Sequence, residues 1–256
     1  MKLLILFFLG ACTSSTNTPN IGGLEKDPLS LAESLLEAVR HEQDYSSIKT
    51  DLAQVDYDYL RKSLDTDEKK LAFWINVYNA NVQILLGEDE TLFEDRSAFF
   101  STPRMNIAGL ELSFDNIEHG IIRRSQNKLS LGLIPKLFVK TYERQLRTSE
   151  RDGRVHFALN CGAKSCPPVA IYEADRINEQ LDKSSKRFLT ETTTYKAEEN
   201  TAYVTTLFSW FRGDFGGLDG VKDYLVRYGQ IEAGTNPSLS FKDYDWTLYL
   251  GNYIDL

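Results

Sequence analysis

The sequence predicts an α+β fold, a single helix-rich domain with a small sheet. Apolar residues recur at helical spacing over several segments, and short β-branched and aromatic runs lie between turn residues. Helical segments outnumber extended ones. A hydrophobic share of 42%, including 14 Phe and 13 Tyr, is ample for one large core, and no internal repeat calls for a second domain.

The chain opens on Met1-Lys2, runs without charge over residues 3–9, and continues Gly10-Ala11-Cys12. A basic start, an apolar run and small residues at the cut make a secretory signal, and the run is well short of the ~20 residues a spanning helix needs. Leu9-Gly10-Ala11-Cys12 resembles the bacterial lipobox. That resemblance implies loss of residues 1–11, diacylglycerol on the Cys12 thiol, and an exported lipoprotein whose partner is an envelope membrane. Thr13, standing where an aspartate signals inner-membrane retention, implies the outer membrane. Residues 12–26 read as a polar tether and residues 27–256 as the globular domain.

Asp27 caps a first helix with Pro28 in its first turn and Leu31, Leu35 and Val39 on one face. A companion covers residues 55–64. Asp65-Thr66 then cap a helix running to Leu86 with apolar residues on nearly every side, which makes it central and buried. Residues 106–112 form a hairpin around Ala108-Gly109, Ser113 caps a helix through Arg123, and residues 135–147 are an amphipathic helix. The run Val155-His156-Phe157-Ala158-Leu159 reads as a buried strand ending at Cys161. Beyond it come a helix over 173–189, a hairpin over 195–205 turning near Asn200, helices over 207–212 and 218–228, and an extended segment over 239–246.

A net charge of -8 and the absence of a clustered basic tract argue against a nucleic-acid partner, and no glycine-rich loop is present to cradle phosphates. No cofactor is implied, and the sequence leaves oligomeric state open. With Cys12 committed to lipid, only Cys161 and Cys166 remain, and in an oxidising compartment two nearby cysteines can pair.

Three stretches resemble one family. They are Phe73-Trp74-Ile75-Asn76-Val77-Tyr78-Asn79-Ala80, Asn116-Ile117-Glu118-His119-Gly120-Ile121-Ile122-Arg123, and the run from His156 through Asn160-Cys161-Gly162-Ala163-Lys164-Ser165-Cys166 to Pro168. All resemble the family known as domain of unknown function 547. Phe208-Ser209-Trp210-Phe211 through Asp214-Phe215, and Tyr244-Asp245-Trp246, resemble its C-terminal signatures, so the resemblance covers about residue 50 to the end. The family's name carries no activity, so the chemistry rests on the residues.

Cys161, His119, Glu118, His156 and Cys166 are the candidate catalytic residues. They suit a cysteine-dependent hydrolase or acyl transferase acting on amide or peptide material of the cell envelope. A thiol with a reference pKa of ~8.5 needs a neighbouring imidazole, here His119, oriented by Glu118 or by an amide such as Asn76 or Asn79. Cys161 is preferred over Cys166 as nucleophile, because Gly162 follows it and can leave room for an oxyanion, whereas Pro167 and Pro168 after Cys166 remove two backbone donors. A histidine-before-cysteine order is compatible, by analogy, with a permuted papain-like or transglutaminase-like fold.

Two other readings stand beside this one. One is a non-catalytic envelope binding or scaffold domain with a structural Cys161–Cys166 disulfide, His156 merely hydrogen-bonded, and Asn76 and Asn79 either contacting substrate or tying down backbone; the disulfide excludes a permanent thiolate but leaves Glu118 and His119 as an acid/base pair. Alternatively, His119, His156, Cys161 and Cys166 form a zinc site, although their spacing matches neither common zinc motif.

Overall fold

The computed structural model describes residues 26–256, so the lipobox cysteine Cys12 and most of the tether lie outside the described residues. Helix α1 (Pro28–Arg40) starts where its sequence requires, with the Asp27 carboxylate accepting from Ser30 N–H and Pro28 in the first turn. It packs along α4 (Asp67–Glu88), which Thr66 caps by accepting from Lys69 N–H. Residues 71–84 of α4 are buried without interruption, so the expected central helix is present. Two short helices, α2 (Ser46–Gln54) and α3 (Tyr57–Ser63), lie between them. Only α3 is anticipated by the sequence pattern.

After α5 (Arg96–Ser101), β1 (Met105–Ile107) and β2 (Leu110–Leu112) form the expected hairpin, with Ala108 and Gly109 at φ 50° and 73° in its tip. A π-helical turn, Asn116–Ile122, follows. Ser113 and Asn116 cap it reciprocally, each side-chain oxygen accepting the other residue's backbone N–H. Arg123 N–H then reaches back five residues to Glu118 C=O. Gly120 lets α6 (Thr141–Leu146) approach, because a Cβ there would stand 2.9 Å from the Glu143 side chain.

Two expectations need correction. The amphipathic helix over 135–147 is helical only as α6. Its first part instead pairs back on the preceding chain, Lys136 N–H donating to Ser125 C=O and Asn127 N–H to Ile134 C=O. The buried strand over 155–159 is a 3-10 turn, Gly153–Phe157, capped by Asp152. A short apolar run is ambiguous between strand and buried helical turn. Here the main chain beyond the turn finds a side chain rather than a neighbouring strand, since Ala158 C=O accepts from Asn79 Nδ2 and Asn160 N–H donates to Asn79 Oδ1.

The C-terminal half holds α7 (Ile177–Thr192), which starts four residues later than its pattern suggests, and a three-stranded sheet. In that sheet β4 (Thr201–Val204) runs antiparallel to β3 (Thr194–Lys196) and parallel to β5 (Ser238–Phe241). The β4 to β5 connection contains α8 (Leu207–Trp210), a 3-10 turn (Arg212–Phe215) and α9 (Gly217–Arg227). The result is one α+β domain with two apolar clusters, a large one around α1 and α4 and a smaller one around Phe157, Phe188, Phe208 and Phe215. No described helix is long and apolar enough to cross a membrane.

Candidate active site

A cavity of about 290 Å³ opens between the two clusters, with Tyr78 of α4 on one side and Leu207 and Phe211 on the other. Its walls carry Glu118, His119, His156 and Cys161, so four of the five candidate catalytic residues meet there. Cys166 reaches the same place through its sulfur, which is bonded to that of Cys161. The disulfide expected by the binding-domain reading is therefore formed, and in this oxidised state neither sulfur is a thiolate.

The π-helical turn brings Glu118 and His119 together. Their Oε1 and Nδ1 atoms lie 3.5 Å apart, although neighbours on a regular helix diverge by about 100°. Glu118 is poised by burial, which pushes its carboxyl up to about 7 against the partial relief of Arg123. Tyr78 Oη stands 3.4 Å from Glu118 Oε2 as a donor. Burial also holds His119 well below the usual histidine range, with Arg123 adding to the effect.

Arg123 Nη1 lies 2.7 Å from His119 Nδ1. A guanidinium has no acceptor, so Nδ1 must offer its lone pair and the neutral ring carries its proton on Nε2, which faces Asp115 Oδ1 at 3.5 Å. The same guanidinium donates from Nε to Asp214 Oδ2 at 2.5 Å and lies over the Phe211 ring. Asp214 Oδ2 also accepts from His156 Nε2 at 2.9 Å, while its Oδ1 accepts from Arg151 at 3.0 Å. These partners depress the Asp214 carboxyl far below the ordinary range despite its burial. His156 stacks on Phe211 with ring centres 3.7 Å apart, and its desolvation lowers its pKa below the usual value even beside Asp214. The two histidines are thus joined through Arg123 and Asp214.

The cysteine loop is fixed from below by Asn160, whose side chain accepts from Gly162 N–H and donates to Pro167 C=O. The C-terminal segment covers it from above, where Tyr249 N–H donates to Gly162 C=O and Lys164 N–H to Thr247 C=O. Tyr244 Oη approaches the sulfurs of Cys161 and Cys166 at 3.3 and 3.1 Å. Trp210 and Trp246 stack at 5.7 Å on the cavity wall.

Asn76 and Asn79 have no part in the cavity. Asn76 closes both its bonds on the Tyr172 backbone at 2.7 and 2.9 Å, and Asn79 closes its own on Ala158 and Asn160. Both side chains are thus spent on main-chain ties. The third histidine, His41, lies at the exposed end of α1 beside Glu37, away from the cavity.

The zinc reading fails on geometry. Among the described residues no three of His, Cys, Asp and Glu gather as metal ligands, since the sulfurs are bonded to each other, Arg123 occupies one nitrogen of His119 and Asp214 one nitrogen of His156. Sequence reasoning missed Arg123, Asp214 and Tyr244 as site residues. The four-residue spacing of His119 and Arg123 was a usable signal, whereas Asp214 had only its place in a C-terminal signature.

A family model described as "Protein of unknown function, DUF547" matches residues 62–189. No curated protein and no solved structure matches the chain, so the papain-like comparison gains no structural counterpart.

Proposed function

The chain belongs to the DUF547 family, and from its cavity we infer an acyl-transfer or hydrolytic site for amide or ester bonds, with Cys161 as nucleophile once its bond to Cys166 is reduced. One observation carries this reading: a carboxyl poised near neutrality, a His156–Asp214 pair and Cys161 converge on one largely apolar cavity.

A dithiol reductant opens the disulfide by exchange and becomes a disulfide itself, while Cys161 and Cys166 gain the two electrons and two protons. The proton acceptor in this scheme is His156 rather than His119. His119 Nδ1 is occupied by Arg123, whereas His156 commits only Nε2–H to Asp214 and keeps Nδ1 for the thiol proton. The thiolate attacks the carbonyl carbon, and protonated Glu118 donates a hydrogen bond to the oxygen that gains charge. Collapse expels the amine or alcohol with the proton from His156. Water or an amine then releases the acyl group and restores the thiol. The substrate is amide or ester material of the cell envelope, reached by a lipoprotein anchored to the outer membrane through Cys12.

Cys166→Ser in the full chain tests the scheme by leaving Cys161 without its partner. Iodoacetamide then alkylates Cys161 without reductant, and adding His156→Ala slows the reaction roughly tenfold, as expected when a thiol loses its activating imidazole. An unchanged rate would sink the nucleophile. The bonded sulfurs and the Trp210–Trp246 stack would then favour the second reading, a non-catalytic binding domain with an aromatic-walled pocket.

A further inference from the structure

We propose that residues 127–140 form a membrane-docking loop that seats the cavity mouth against a bilayer surface bearing anionic headgroups. Eight large hydrophobic side chains stand exposed among the described residues, and six of them fall within residues 129–138. Leu129, Leu137 and Phe138 are 88%, 90% and 91% exposed. Scattered exposed leucines need no explanation, but such a concentration marks an interaction surface.

The loop is built to hold these side chains out. Ser130 Oγ lies 2.9 Å from both Asn127 C=O and Ile134 C=O, either of which can take its one proton, and accepts from Ile134 N–H, while Leu133 N–H donates to Ser130 C=O. Its base is fastened to the site, Gly213 N–H donating to Leu131 C=O at 2.8 Å and Arg151 Nη1 to Gly132 C=O at 2.6 Å. A Cβ at Gly132 would fall 2.7 Å from Asp214 Oδ1, so the base of the loop lies against the residue that holds His156.

Charge identifies the partner. Residues 123–147 hold seven Lys and Arg and one acidic residue, Glu143, in a chain whose net charge is -8. Arg123, Lys128 and Lys136 pair with Asp214, Asp115 and the buried Glu143, while Arg124, Lys140 and Arg144 are exposed on either side of the apolar run in sequence. Exposed Leu, Ile and Phe in a segment flanked in sequence by exposed Lys and Arg match an interface in which apolar side chains enter the acyl boundary and cations meet phosphates. Lys128 and Leu129 also line the cavity, so docking of the loop puts the cavity mouth at the headgroup layer. A tether of residues 12–26 reaches at most about 50 Å, which keeps the domain within range of the same bilayer.

Phe138→Trp in the full chain reports insertion directly, because the added indole replaces a side chain with no packing to lose. The chain is reconstituted on vesicles of phosphatidylethanolamine and phosphatidylglycerol with brominated acyl chains, and flotation establishes binding. Relative to wild type, the added emission shifts to the blue and is largely quenched by bromine, and quenching is weaker on phosphatidylcholine vesicles. The proposal is overturned if the chain floats while the added emission is indifferent to bromine, which means attachment by the tether alone. It is equally overturned if the chain does not float, or if the blue shift follows protein concentration without vesicles, which means that a second copy covers the loop.

Discussion

Two polar rows pass close to one another in this protein and are put to opposite uses. On α4, Asn76, Asn79 and Gln83 lie in the densest part of the core, and each both donates and accepts, toward the main chain around Tyr172, Ala158 and Gly251 and the Asn160 side chain. On the π-helical turn, Glu118 and His119 lie beside a cavity, and their protonation is displaced from ordinary values. A neutral amide offers a donor and an acceptor together and is satisfied by one acceptor and one donor of the packed chain. A buried carboxyl or imidazole must instead settle its proton against its neighbours. Burial alone therefore does not mark a functional polar residue; burial next to open space does.

Removing the acid that joins the two histidines should break the contrast hardest. Asp214→Asn leaves Arg123 and His156 facing a neutral amide in a buried site, and the expected loss is about 3 to 5 kcal/mol in chemical denaturation. A loss under about 1 kcal/mol would mean that the network contributes little to the fold. Next, Asn79→Ala orphans Ala158 C=O and Asn160 N–H and should cost roughly 2 to 4 kcal/mol, while Cys161 alkylation in the Cys166→Ser background stays unchanged below the melting temperature. If alkylation falls instead, α4 belongs to the site as well as to the fold.

The smallest effect has the opposite sign. Because the folded state raises Glu118 from 4.5 to about 7, it binds a proton that the unfolded chain releases. Its contribution is fully favourable below the unfolded value and is lost as pH rises through about 7. Glu118→Gln removes that loss, so the variant should be more stable than wild type by at most about 3 kcal/mol near pH 8, with the difference vanishing toward pH 4. Melting curves across this range decide it, and a variant less stable than wild type at the alkaline end would contradict the raised carboxyl. In the proposed reaction kcat/KM should fall above about 7 as Glu118 ionises, and below the depressed His156 value as that base is protonated.

Much of this was legible in one dimension. Asp27-Pro28, Thr66 and Ala108-Gly109 set their helix starts and hairpin through contacts within a few residues, and the pattern of α4 announced its burial. The candidates Glu118, His119, His156 and Cys161 could be named because rare titratable residues lie beside one another. The turn at Gly153–Phe157 was misread because an apolar pentapeptide has no period long enough to separate strand from helical turn, and its partner, Asn79, lies far away in sequence. The segment before α6 was misread because it carries a helical pattern on side chains that the fold itself leaves uncovered.

By itself the sequence determined the α+β class, the central helix and the short list of residues able to do chemistry, since capping, periodicity and side-chain type act locally. Only the tertiary structure decided which of them share a cavity, that Arg123 occupies His119 while Asp214 holds His156, and that Asn76 and Asn79 belong to the fold. Those outcomes depend on hydrogen bonds between residues up to 96 positions apart and on how deeply each group is desolvated, and both exist only after the chain has packed.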